Sequence, residues 1–174
     1  MKNVVKLGGS SLASAEQFRK VADIIKAEDS RRYVVPSAPG KRFSADTKVT
    51  DMLYHCYEAA ENGQDTKELL DGIAARYNEI IDGLGLDLSL EKEFAEIAAQ
   101  FQKKAGKEYA ASRGEYLNGI VLANYLGFEF VDAAEVIFFH EDGTLNVDKT
   151  DEMLKNCLQS RKNAVIPGFY GAQD

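Results

Sequence analysis

The sequence predicts an α/β fold, a three-layer sandwich built on an open, mostly parallel sheet. Three observations predict it. Short apolar strand candidates alternate with longer segments of helical periodicity, the pattern of a sheet covered on both faces. The first strand candidate runs through a glycine pair directly into a helix. The 174 residues, 45% of them hydrophobic, are enough to bury the core of one domain rather than two.

Val4 to Leu7 forms the first strand. Ser14-Ala15-Glu16-Gln17 then supplies an N-cap with Gln three residues on, opening a helix with Phe18, Val21, Ala22 and Ile25 on one face. Tyr33 to Val35 is a second strand. The stretch from Pro36 to Lys48 carries two prolines, a glycine and several charges without periodicity, so it reads as a long loop of the kind a function justifies.

Four helices follow. The first starts near Thr50, with Met52, Leu53, Cys56, Tyr57 and Ala60 on one side, and closes at Asn62-Gly63. Asp65 to Glu68 caps the second, whose stripe is Leu69, Leu70, Ile73, Tyr77, Ile80 and Ile81, interrupted at Gly83 and Gly85. The third runs from Ser89 with Leu90, Phe94, Ile97, Ala98 and Phe101 inward. The fourth starts around Ser112 to Leu117 and stops at Gly127.

Strand character returns at Phe128 to Val131 and at Val136 to Phe139, the latter followed by a hairpin-type turn at Glu141-Asp142-Gly143-Thr144. Asp148 caps a last helix bearing Met153, Leu154, Cys157 and Leu158, before a strand from Ala164 to Pro167. An α/β unit ordinarily continues from such a strand into another crossover. The expectation is therefore that the fold is incomplete at its C-terminal end, as in a truncated chain.

Composition narrows the function. Twenty-eight acidic against 21 basic residues, a net charge of -7, argue against a broad nucleic-acid surface. No window supplies the roughly 20 apolar residues of a membrane span, and the N-terminus lacks the apolar core of a signal peptide, so a cytoplasmic protein is expected. Cys56 and Cys157 sit among apolar residues and read as buried thiols. His55 and His140 have no partner at metal-ligand spacing, so no metal site is expected.

Three segments can carry chemistry. Lys6-Leu7-Gly8-Gly9-Ser10-Ser11 joins strand to helix through glycines that let backbone N–H groups approach an anion, beside a compensating lysine; on its own such a segment is more often a plain turn with a surface lysine. Gly40-Lys41 resembles the tail of a Walker A loop, but Val35 stands where the first glycine belongs and Arg42 replaces Ser or Thr. The loop from Val34 to Arg42, continuing to Lys48-Val49-Thr50-Asp51, can aim hydroxyls at a ligand, or Thr50 can simply cap a helix. Ser112-Arg113-Gly114-Glu115 sets two opposite charges beside a glycine, which alone suggests a surface ion pair.

Together and in order, these segments resemble the aspartokinases of the amino acid kinase family. Those proteins open with Val-x-Lys-Phe-Gly-Gly-Thr/Ser-Ser, follow with a Val-Val-x-Ser-Ala loop ending in Thr-Asp or Thr-Asn, then Gly-Glu, then Gly-Phe-x-Gly. Here the matches are Val4 to Ser11, Val34 to Asp51, Gly114-Glu115 and Gly168-Phe169-Tyr170-Gly171, with Leu7 in place of Phe and Pro36 where Val or Leu is commoner.

The resemblance implies phosphorylation of the L-aspartate side-chain carboxylate by ATP with Mg2+, the first step towards lysine, threonine and methionine. It implies Lys6 against the transferring phosphoryl group as the catalytic lysine, and Gly8, Gly9 and Ser10 at the phosphates. Ser37 and Thr50 would hold aspartate, Glu115 its α-ammonium group, Phe169 would border the pocket, and Arg113 would be a further substrate contact. On the same resemblance, residues 1–174 are the N-terminal, amino-acid-binding part of the kinase domain. The family's Arg-Gly-Gly-Ser-Asp segment, nucleotide-binding half and ACT domains are then absent, this chain alone is expected to be inactive, and the full-length form is a homo-oligomer. Kinases of glutamate, acetylglutamate, carbamate or UMP, and a non-catalytic aspartate-binding fragment, are the alternatives.

Overall fold

A computed structural model describes residues 2–173. The first strand, β1 (Asn3–Leu7), is followed by a 3-10 turn at Gly9–Leu12 and helix α1 (Ala15–Lys26). The Ser14 hydroxyl accepts the Gln17 N–H, and Phe18, Val21, Ala22 and Ile25 are buried, as the periodicity predicts. Strand β2 (Arg31–Pro36) pairs in parallel with β1.

Helices α2 (Val49–Glu61), α3 (Lys67–Leu84), α4 (Glu91–Gln102) and α5 (Lys107–Leu126) make one block. Gly83 does not interrupt α3, which continues to a left-handed cap at Gly85. Helix α5 starts at Lys107, so Ser112 to Leu117 lie inside it rather than at its start. Twelve of its residues are buried, on every side, and such a helix has no polar face to announce its beginning.

Beyond it come β3 (Glu129–Phe130), a single turn α6 (Ala133–Val136), β4 (Phe138–Phe139), α7 (Val147–Leu158), β5 (Ala164–Val165) and β6 (Ala172–Gln173). Val136 ends a helical turn instead of starting a strand, because the Asp132 side chain caps that turn through the Ala134 N–H. Helix α7 is capped by Asn146, not Asp148, which falls in its first turn. The turn at Gly143 forms with φ +81°, closed by His140 and Thr144.

The main sheet has the order β1-β2-β5-β3, with every ladder parallel, while β4 and β6 form a separate parallel pair. Alternation assigns the faces. Leu7, Val34, Val165 and Phe130 pack with α1 to α5, whereas Tyr33, Ala164 and Ile166 pack with α6 and α7. The result is the three-layer arrangement expected. Cys56 is fully buried, but Cys157 is only half-buried, with its Sγ accepting from Arg161.

Candidate active site

Parallel pairing sets the ends of β1 and β2 side by side, with Lys6 opposite Val35 and Leu7 opposite Pro36. The Ser37 N–H extends the ladder to the Leu7 carbonyl at 3.1 Å, so both strands release their loops at one edge. The two loops then touch through glycines. Gly40 donates its N–H to the Gly9 carbonyl at 2.9 Å. A Cβ on Gly9 would lie 2.8 Å from the Ala38 carbonyl oxygen, and one on Gly40 would lie 2.7 Å from the Gly9 carbonyl carbon. Backbone meets backbone here, leaving no room for a side chain. Gly8 differs, since a Cβ there would meet nothing within 4 Å.

Helix α5 brings Glu115 to this edge. Gly114 lets the helix approach Ala38, where an added Cβ would sit 2.7 Å from the Ala38 methyl group, and the Tyr77 hydroxyl donates to the Gly114 carbonyl at 2.7 Å. Glu115 is 7% exposed; its Oε1 accepts the Ala38 N–H at 3.2 Å, and its buried Oε2 has no partner among the described residues. Burial pushes the carboxyl above its ordinary range, opposed by the Ala38 N–H and by the charge of Lys6. One turn on, the fully buried Asn118 donates from Nδ2 to the Ser37 carbonyl at 2.7 Å.

Gly9, Ala38, Gly40 and Glu115 border a cavity of about 460 Å³, with Ser10, Ser37 and Thr50 supplying hydroxyls, Lys41 and Lys48 positive charge, and Glu115 the single carboxylate; Asn118 lies behind it, holding Ser37. Thr50 is not the helix cap. Lys48 holds that position without a side-chain bond, and Thr50 is the second residue of α2. Among the described residues no protein group bonds the hydroxyls of Ser37 or Thr50.

Lys6 is exposed on β1 and does not line this cavity, although it acts electrostatically on Glu115. Arg113 and Phe169 border a second, separate cavity of about 840 Å³. Arg113 and Glu115 form no ion pair: two residues apart on a helix, they point to different sides. The Arg113 guanidinium instead lies over the rings of Tyr109, Tyr116 and Tyr170, 4.7, 4.5 and 5.3 Å from their centroids, and donates to the Ser112 hydroxyl. Phe169 is 73% exposed and holds φ at +79°, a strained conformation for an aromatic residue whose ring gains nothing from burial.

Comparison with known proteins bears on this arrangement directly, because the pattern of the amino acid kinase family matches residues 1–174. The chain belongs to the amino acid kinase family. It is similar to aspartokinase 3 of Bacillus subtilis (strain 168), 31% identical over 97% of this chain and 40% of that protein. It also resembles the bifunctional aspartokinase/homoserine dehydrogenase of Daucus carota, 29% identical over 74% of this chain and 13% of that one. Among solved structures, the aspartate kinase of Clostridium acetobutylicum superposes with a TM-score of 0.95 at 46% identity, covering 99% of this chain and 40% of that one. Aspartokinase III of E. coli, solved with aspartate and ADP, shares the fold at a TM-score of 0.83 and 20% identity, covering 100% of this chain and 42% of that one. The chain thus spans about two fifths of the length of the three monofunctional aspartokinases and 13% of the bifunctional protein.

Within this amino acid kinase domain, sequence reasoning missed Lys41, Lys48 and Asn118 as parts of the site. Asn118 left a trace, a polar residue one turn from Glu115 in an apolar helix; the two lysines left none beyond the charge of their loop. Among the described residues no three His, Cys, Asp or Glu side chains gather as metal ligands, and no helix is long and apolar enough to cross a membrane.

Proposed function

We propose that the chain is the amino-acid-binding part of an aspartate kinase, and that the cavity under Glu115 takes L-aspartate. The observation carrying this is the unpartnered, buried Oε2 of Glu115 beside hydroxyls and two lysines. One buried carboxylate suits one ammonium group, and the lysines and hydroxyls suit carboxylates, so the cavity is complementary to an acidic amino acid with a free α-amino group. UMP and carbamate lack that ammonium, and acetylglutamate has it acylated. Similarity to aspartokinases favours aspartate over glutamate.

In this reading the nucleophile is already a carboxylate, so the protein's task is positioning and charge neutralisation rather than proton abstraction. Glu115 anchors the α-ammonium group. Ser37 and Thr50 orient the carboxylates. Lys6, exposed near the end of β1, stands against the transferring phosphoryl group of ATP, and Gly8, Gly9 and Ser10 meet the phosphates; an added Cβ on Gly8 would meet nothing within 4 Å, so that side leaves space for them. Phe169 and Arg113 border the separate, larger cavity and take no part in holding aspartate under Glu115. The described residues offer no metal cage, so Mg2+ would arrive on the triphosphate. Cytoplasmic location and homo-oligomeric assembly of the full-length enzyme belong to the same reading, with the nucleotide-binding half and ACT domains lying outside these residues.

The test is a chimera in which this chain replaces the matching two fifths of the Clostridium acetobutylicum aspartate kinase. It is assayed for hydroxylamine-trapped acyl phosphate with ATP and L-aspartate, L-glutamate, acetylglutamate or carbamate, and for UDP formation with UMP. Turnover confined to L-aspartate is the expected result. Preference for any other acceptor would overturn the substrate assignment.

A further inference from the structure

An arginine inside an apolar helix stripe is the molecule's least expected charge. Arg76 lies on α3 between Ile73 and Tyr77, both fully buried, and is itself only 5% exposed. A buried guanidinium destabilises a fold unless its donors are matched. Its matches all come from one place. Nη1 donates to Asp46 Oδ2 at 2.9 Å and to the Thr47 carbonyl at 3.1 Å, and Nη2 donates to the Gly40 carbonyl at 3.0 Å. Arg42 grips the same Asp46 through Nε and Nη2 at 2.9 and 3.0 Å, and reaches Glu79 of α3. Arg42 first, then Arg76, holds the Asp46 carboxyl well below the usual carboxylate range.

The held segment, residues 40–47, is the outer half of the loop whose inner side forms the cavity. It contributes Gly40, seated on Gly9, and Lys41, and leads into Lys48 and Thr50. A connector of this composition would ordinarily be mobile. We propose that Arg76 is a positioning residue for the substrate cavity: from outside it, the guanidinium fork clamps residues 40–47 and so sets the affinity for the amino acid. This rests on the reading that the cavity takes L-aspartate. A lysine could not replace the fork, since one ammonium cannot span the Gly40 and Thr47 carbonyls together with Asp46. Fold stability alone does not call for a charge here, since apolar side chains in place of the whole Arg76–Asp46 pair would serve as well.

The test uses the 174-residue chain and its Arg76→Met, Arg76→Lys and Asp46→Asn variants. Backbone amide exchange of residues 40–48, trypsin cleavage after Lys41, Arg42 and Lys48, thermal unfolding and L-aspartate titration are measured on each. For Arg76→Met the expected result is tenfold or greater loss of loop protection and of L-aspartate affinity, with the α3 and α5 amides still protected. Arg76→Lys restores little of either, and Asp46→Asn loosens the loop from its own side even if the Met variant does not fold. Unchanged loop protection in a folded Arg76→Met chain, or in Asp46→Asn where the former does not fold, would overturn the clamp. So would loss of protection spread evenly over all helices. Loop protection needs no ligand, so it decides the clamp by itself; failure of the wild-type chain to bind L-aspartate counts instead against the substrate reading.

Discussion

Replacing Glu115 by Gln should change binding and stability in opposite directions. The wild-type carboxylate spends one oxygen on the Ala38 N–H at 3.2 Å and keeps the other unpartnered in a site 7% exposed. Losing the charge removes a charge-assisted bond to the ammonium group and leaves that ammonium poorly paired, a penalty of about 2 to 3 kcal/mol. This corresponds to roughly 30- to 150-fold in kcat/KM for L-aspartate. The same change relieves the burial of a charge. Because burial raises the folded pKa above 4.5, the wild-type carboxyl lowers stability as pH rises through that raised value, and Glu115→Gln should remove this loss and melt higher at neutral pH. The assay is steady-state kinetics of the chimera with L-aspartate and with succinate, which lacks the α-amino group, alongside thermal unfolding of the chain. An undiminished preference for L-aspartate in the variant would refute the contact, and lower stability at neutral pH would refute the energetics.

Further expectations concern neighbouring residues. Affinity for L-aspartate should weaken as pH falls through the raised Glu115 pKa, by up to about tenfold per unit, and become flat over that range in Glu115→Gln, as titration calorimetry across pH will check. Lys6→Ala should lower kcat of the chimera by at least ~100-fold with a smaller change in aspartate KM, and near-normal turnover would remove Lys6 from the chemistry. Thr50→Val should raise aspartate KM while Thr50→Ser stays mild, and because Thr50 is not the cap, thermal stability should move by under about 1 kcal/mol. Gly40→Ala should cost roughly 1 to 3 kcal/mol of stability, since the new Cβ would fall 2.7 Å from the Gly9 carbonyl carbon, and unfolding in urea measures it.

What the sequence revealed depended on whether the information was local. The Ser14 cap, the α1 stripe and the Gly127 stop are short-range patterns found where periodicity and capping put them; the α3 stripe holds for Leu70, Ile73, Tyr77, Ile80 and Ile81, but Leu69 is exposed and the buried face takes Arg76 instead. Helix α5 hid its start because its first turn, Lys107 and Glu108, is exposed and the run that follows, with small Ala110, Ala111 and Ser112, is buried on all sides and carries no amphipathic stripe. The choice of Asn146 over Asp148 turned on two equally good capping residues two positions apart.

At the site, the chain order of the motifs pointed to Ser37, Thr50 and Glu115 together, and they do border one cavity. Asn118 and Arg76 owe their roles to contacts made across 29 to 81 residues of sequence, and Lys41 and Lys48 to a loop folded against Gly9 and Glu115. No local pattern encodes such contacts. Nor could spacing show that Arg113 and Phe169 border a different cavity, because that depends on how the end of β5 packs beside α5.

The most direct measurement is a crystal structure of the chain grown with L-aspartate. Glu115 as the ammonium anchor puts the α-ammonium group within hydrogen-bond distance of its Oε2, with the carboxylates toward Ser37, Thr50 and the lysines. Aspartate seated beside Arg113 and Phe169, with Glu115 Oε2 left unpartnered, would contradict it.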